Sequence, residues 1–119
     1  MTRLISWVEI PTLDFERAVR FYRSVLKIEL QTIDCGEEKM ACFPGGEGAI
    51  SFAPDFKPGK DGVLVSFNAG NDLEGTIERI KTNGGTIVQP KTKIEAEGRA
   101  YFAVFIDCEG NRAGLYGDK

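Results

Sequence analysis

One pattern of apolar positions occurs twice along the chain, and that repeat limits the folds open to it. Asp14 falls on Asp72, Phe15 on Leu73, Glu16 on Glu74, Val19 on Ile77 and Tyr22 on Ile80. Each half reads as a strand, a short link, a helix and then further strands. In 119 residues neither half has enough apolar surface to close a core alone, so the two must fold together.

In the first half, Ile5–Ile10 is rich in β-formers and Pro11 stops it. Asp14 is placed to cap a helix. Phe15, Ala18, Val19, Tyr22, Val25 and Leu26 recur at helical spacing, with Glu16, Arg17, Arg20 and Arg23 facing out. "KIELQTID", "EKMACF" and "GAISFA" read as strands, the last two joined by the glycine turn "PGGEG". The stretch "PDFKPGKDG" is a linker rich in Pro and Gly. The second half starts with "VLVSFNA". Asn71 and Glu74 fit a capping box, Leu73, Thr76, Ile77 and Ile80 make the buried stripe, and Asn83–Gly85 stops the helix. "TIVQP", "AYFAVFID" and "RAGLYG" follow as strands, the last two joined by the turn "CEGN". The expectation is an α+β fold of two βαβββ modules with one helix each, about residues 1–54 and 63–119 around a linker at about 55–62. The strands are expected to join edge to edge into one curled mixed sheet, leaving a concave cup away from the helices.

Composition removes several functions. Net charge is −3 with scattered basic residues, which disfavours a nucleic-acid partner. Apolar runs are too short to cross a bilayer and the N-terminus lacks a signal-peptide core, so the cytoplasm is the expected location. Cys35, Cys42 and Cys108 are odd in number and lack C-x-x-C spacing, which argues against a disulfide framework or a zinc knuckle. The chain has no histidine, which excludes a His-dependent triad, a His base or a His-ligated metal within it.

The stretch "VEIPTLDFERAVRFYRSVL" resembles the strand–Pro–Asp–helix–Phe-Tyr signature of the vicinal oxygen chelate superfamily. That superfamily holds glyoxalase I, extradiol dioxygenases, and fosfomycin and bleomycin resistance proteins. "GGTIVQP" and "FAVFIDCEGNRAGLY" are similar to its terminal hairpin. Two small departures are Lys27, where Gly is usual after the first helix, and Asp107-Cys108, where Asp-Pro is usual. In the superfamily's enzymes a divalent metal sits in the cup, held by His and Glu from the first and last strands of each module. Carried onto this sequence, those positions are Trp7 and Val65 on first strands, with Gly114 and the neighbourhood of Ser51 on last strands. Trp, Val and Gly offer no ligand and Ser a poor one. The resemblance therefore implies a member without the usual metal ligands and with no cofactor.

Strand alternation, applied to those positions, gives a cup of Trp7, Glu9, Ser51, Val65, Phe67, Arg112, Gly114 and Tyr116. It is largely apolar and aromatic with a few polar anchors, as small-molecule pockets are. Trp7 either stacks on a ligand or fills the space of a lost metal. Glu9 is the candidate general base or partner of a cationic ligand, and could equally pair with Arg112. Tyr116 could donate to a ligand or simply pack. Glu95–Gly98 is expected as a loop beside the cup mouth. The favoured expectation is a metal-free binding protein that sequesters an aromatic or amphiphilic small molecule, as the drug-sequestering resistance proteins do. The alternative is a lyase, isomerase or dioxygenase using non-standard metal ligands or Glu9. A small regulatory or structural domain with a self-filled cup is the third reading. The resemblance also implies a homodimer, in which some arrangements build each cup from two chains.

Overall fold

A computed structural model of the chain describes residues 3–95 and 100–119. The first module runs β1 (Val8–Pro11), α1 (Phe15–Leu26), β2 (Gln31–Asp34), β3 (Lys39–Cys42) and β4 (Gly48–Phe52). The second runs β5 (Val65–Gly70), α2 (Leu73–Thr82), β6 (Thr86–Lys93), β7 (Tyr101–Ile106) and β8 (Arg112–Gly117). Both modules are βαβββ and the class is α+β. No helix among the described residues is long and apolar enough to cross a membrane.

Helix α1 forms where its caps and apolar spacing agree. The Asp14 carboxylate accepts from the Arg17 N–H at 3.1 Å, and Phe15, Ala18, Val19, Phe21, Tyr22 and Val25 are buried. The helix ends at Lys27, whose backbone is left-handed at φ 54°, ψ 50°. An L-residue there is strained by about 1 kcal/mol relative to glycine. Helix α2 is capped by Asp72 rather than by Asn71. The Asp72 carboxylate accepts from Gly75 N–H at 3.2 Å and also meets Arg79, so the acidic side chain one position later takes the capping role.

The curled sheet is divided into two. One four-stranded sheet has the order β1-β4-β3-β2 and the other β5-β8-β7-β6. In each, the first strand pairs in parallel with the last and the other pairs are antiparallel. This leaves β1 and β5 as edge strands, with no ladder between the sheets among the described residues. Side-chain packing joins the modules instead of backbone hydrogen bonds. Phe21 of α1 packs on Phe105 of the second sheet at 6.3 Å between ring centroids, and Tyr22 on Phe67 at 5.5 Å. Both helices thus share one core, and each buried ring contributes roughly 2 kcal/mol of transfer free energy.

Two prolines sit inside strands that were expected to end at or before them. Pro11 is the last residue of β1, paired with Ser51, and Pro90 lies within β6. Both are edge strands, where a missing N–H leaves no ladder bond unmade. Strand β1 begins at Val8 rather than Ile5; Leu4 and Ile5 are instead exposed. Gly48, at the end of the glycine turn, pairs with Val8, and a Cβ there would collide with the Val8 carbonyl. That close approach lets β1 lie beside β4. Of Glu95–Gly98, expected as a loop at the cup mouth, all but Glu95 fall outside the described residues.

Candidate functional site

The two edge strands border one cleft. Its volume is about 620 Å³, and it lies between Trp7–Pro11, the linker from Phe56 to Val63, Val65 and Asn111–Ala113. Trp7 lines the cleft and is 41% exposed, so it is not sealed in the core. Ile10, Phe56, Val63 and Val65 make the rest of the apolar surface. Glu9, Arg112, Lys57, Lys60 and Asp61 supply the charges. An aromatic and aliphatic wall with a charged border suits an amphiphilic molecule, with the ring stacking on Trp7.

The walls are held by three buried polar residues of the β7–β8 turn. Asn111 donates to the Pro11 carbonyl at 2.8 Å and accepts from Gly59 N–H at 3.2 Å. One side chain thereby ties β1, the linker and the turn. Asp107 accepts from the backbone N–H groups of Glu109 and Asn111 at 2.8 and 2.9 Å, and from the Tyr22 hydroxyl at 2.7 Å. Burial, then the Asp107 carboxylate, holds the Tyr22 phenol well above its usual pKa. Glu109 accepts from Leu13 N–H at 2.8 Å, from Asp14 N–H at 2.7 Å and from the Arg17 guanidinium. Burial opposes the charge of Glu109, but Arg17 and these two N–H groups outweigh it and hold the carboxyl below its usual value. These contacts span more than ninety residues of sequence. The sequence marks "CEGN" as a turn and Asp107 as the end of a strand, and gives neither a bracing role. The one sequence signal of that role is two acids and an Asn packed around a turn between two strongly apolar strands.

Cys108 lies in the same turn, half-buried, with its thiol beside the Glu109 carboxylate at 3.3 Å. Burial and then Glu109 push its pKa up to about 12. It is a thiol at neutral pH and a poor nucleophile.

The residues assigned to the cup divide. Trp7, Glu9, Val65 and Arg112 line the cleft; Ser51, Phe67, Gly114 and Tyr116 do not. On β1 and β4 the expected alternation holds. Glu9 pairs with Ala49 and Pro11 with Ser51, on the face opposite Ile10 and Ile50. Ser51 is buried there, and its hydroxyl has no hydrogen-bond partner. Arg112, Gly114 and Tyr116 share the face of β8 opposite the core residues Ala113 and Leu115, with Tyr116 exposed.

Val65 and Phe67 lie on the other face from that trio, which corrects the expectation. Val65 is in register with Ala113 and Phe67 with Leu115, and Phe67 packs in the core on Tyr22 and Phe43. The cause is a bulge. The register of β5 on β8 slips between Asn68 and Gly70, so Ala69 is an extra residue. Counting back from Asp72 through an unbroken strand therefore arrives on the wrong face. Ser66, in register with Gly114, takes the outward place. A Cβ at Gly114 would stand 2.5 Å from the Ser66 hydroxyl oxygen.

A divalent metal of the family's kind does not fit these residues. Trp7 and Val65 carry no donor atom for a metal, Gly114 lies against Ser66, and Ser51 is enclosed within its sheet. Among the described residues no three His, Cys, Asp or Glu side chains gather as a metal-binding group.

Two βαβββ modules sharing one core, with a cleft bordered by the first strand of each, define a protein of the vicinal oxygen chelate type. The model of the Glyoxalase/Bleomycin resistance protein/Dioxygenase superfamily matches residues 4–115, and the chain belongs to that superfamily. A glyoxylase-like domain-containing protein from Didymella fabae is 31% identical over 116 residues, covering 90% of this chain and 88% of that one. Among solved structures, a glyoxalase/bleomycin resistance protein from Albidiferax ferrireducens T118 superposes with a TM-score of 0.73. It is 19% identical and covers 97% of this chain and 98% of its own. A glyoxalase/bleomycin resistance protein/dioxygenase family enzyme from Burkholderia phytofirmans PsJN gives 0.72 at 18% identity, with 97% and 98% covered. At such identities the likeness is one of fold.

Proposed function

We propose that the protein binds an aromatic or amphiphilic small molecule in the cleft between β1 and β5, without a metal. The observation that carries this reading is the half-exposed Trp7 ring facing a cleft of about 620 Å³, large enough for a drug-sized ligand. Binding by stacking and apolar contact needs no metal, in keeping with Trp7, Ser51 and Gly114 at positions where the superfamily's enzymes hold one. Glu9 and Arg112 orient the polar end of the ligand.

Apolar surface continues beyond the cleft. Leu4 is 86% exposed, and Ile5 and Leu64 are exposed as well. Exposure on this scale supports a homodimer in which a second copy covers these residues.

Trp7 is the sole tryptophan and reports on its own site. Titration with a panel of aromatic probes, anilinonaphthalene sulfonate among them, should change its emission saturably. Trp7→Ala, followed by the probe's own fluorescence, should weaken binding about tenfold, the loss of one stacked ring and its buried area. A panel that leaves Trp7 emission unchanged would count against the reading. So would a stoichiometric divalent metal in the purified protein.

A further inference from the structure

A second hollow shares no residue with the cleft. Its volume is about 420 Å³ and it is lined by Arg17, Arg20, Phe21, Arg23, Ser24 and Asn83. It carries three cations and no carboxylate, on a chain whose net charge is −3. We propose that this hollow binds the phosphate or diphosphate group of a small molecule.

The arginines stand at i, i+3 and i+6 of α1 and so along one side of the helix, spanning about 9 Å. Two of them are already held in place. Arg17 is fixed through Nε to Glu109, which is itself fixed by the Leu13 and Asp14 N–H groups. Arg23 donates one Nη to the Leu30 carbonyl at 2.8 Å. Each bond occupies one end of its guanidinium and leaves the remaining N–H groups without a protein partner among the described residues. Arg20 enters none of the ion pairs found there.

Other neighbours do not compete with an anion. Of the carbonyls in the last turn of α2, those of Arg79 and Ile80 already accept from Asn83 and Gly85. The Glu109 charge is satisfied by four donors, Leu13 N–H, Asp14 N–H, Arg17 and the Cys108 thiol, and its side chain is fully buried. Ser24 adds a hydroxyl donor at the rim, and the buried Phe21 floors the hollow. Anchored guanidinium forks lose little freedom on meeting a tetrahedral oxyanion, and Arg pairs with phosphate bidentately.

Inorganic pyrophosphate titrated into the full chain, followed by amide chemical shifts and calorimetry, tests the site. Saturable binding should shift the amides of Ser24 and Asn83 and weaken as salt is raised. Arg20→Gln should weaken it at least tenfold with an unchanged circular dichroism spectrum, because Arg20 is exposed and its side chain has no hydrogen-bond or ion-pair partner among the described residues. Arg3→Gln, an exposed cation outside the hollow, should leave binding as it was. No saturable binding, equal effects of Arg20→Gln and Arg3→Gln, or shifts confined to residues elsewhere would overturn the proposal. Retention by anionic phospholipid vesicles without pyrophosphate binding would also overturn it, because the anion recognised would then belong to a membrane surface.

Discussion

Glu109 is the residue whose removal the structure makes most informative. Its carboxylate accepts from Leu13 N–H, Asp14 N–H and Arg17, and no part of the side chain is exposed. Glu109→Ala strips the acceptor from two backbone N–H groups at the start of α1. Each unmet group costs about 1–1.5 kcal/mol, so the expected loss is about 3 kcal/mol. The half-exposed Arg17 regains water and adds little. For a domain of this size that corresponds to a fall in Tm of roughly 10 °C. Glu109→Gln keeps one carbonyl acceptor and should lose about half as much.

The sign of the pH dependence follows from the depressed carboxyl of Glu109. The folded form releases this proton more readily than the unfolded chain. Stability from Glu109 is therefore full above its ordinary pKa and is lost as pH falls through the lower folded value. Urea unfolding followed by far-UV circular dichroism at pH 7 and near pH 3 measures both quantities. The gap between wild type and Glu109→Gln should be widest at pH 7 and should close in acid. A Glu109→Ala protein within about 0.5 kcal/mol of wild type, the usual range for surface changes, would refute this account of the turn. A gap that stays constant with pH would do the same.

Three further outcomes can be stated. Tyr22→Phe removes the buried hydroxyl that donates to Asp107 and should cost about 1.5 kcal/mol in chemical denaturation, since Asn111 still serves the same oxygen. Lys27→Gly relieves the left-handed backbone at φ 54° and should raise stability by about 0.5–1 kcal/mol, net of glycine's extra unfolded-state entropy. Gly48→Ala drives a Cβ into the Val8 carbonyl; a loss of about 3 kcal/mol is expected as β1 is pushed from β4, read as a lowered thermal midpoint, and the Trp7 emission should shift with the displaced strand.

Much of the architecture was legible from local rules. Asp14 capping α1, the apolar stripes of both helices and the order of strands all depend on neighbours within a few residues. The repeat also revealed that the halves must share a core. Alternation places Glu9 and Ser51 on one face of the first sheet, as observed, because β1 and β4 run without a bulge. The one-residue slip at Ala69 is different. In "VSFNAGND" its one local mark is Gly70, left-handed at φ 60°, and the slip sets Val65 and Phe67 on the face opposite Gly114.

The sequence by itself determined the modules, their helices and the absence of histidine, since these are matters of composition and short-range periodicity. Tertiary structure decided which strand edges stay open and where the linker lies, and hence that a cleft exists between β1 and β5. It also decided the roles of Asp107, Glu109 and Asn111, whose partners Tyr22, Leu13, Asp14 and Pro11 lie in the other module. Such contacts form only when a distant chain segment arrives to remove water and supply donors. A buried carboxylate cannot be told from a solvated one until that packing is in place.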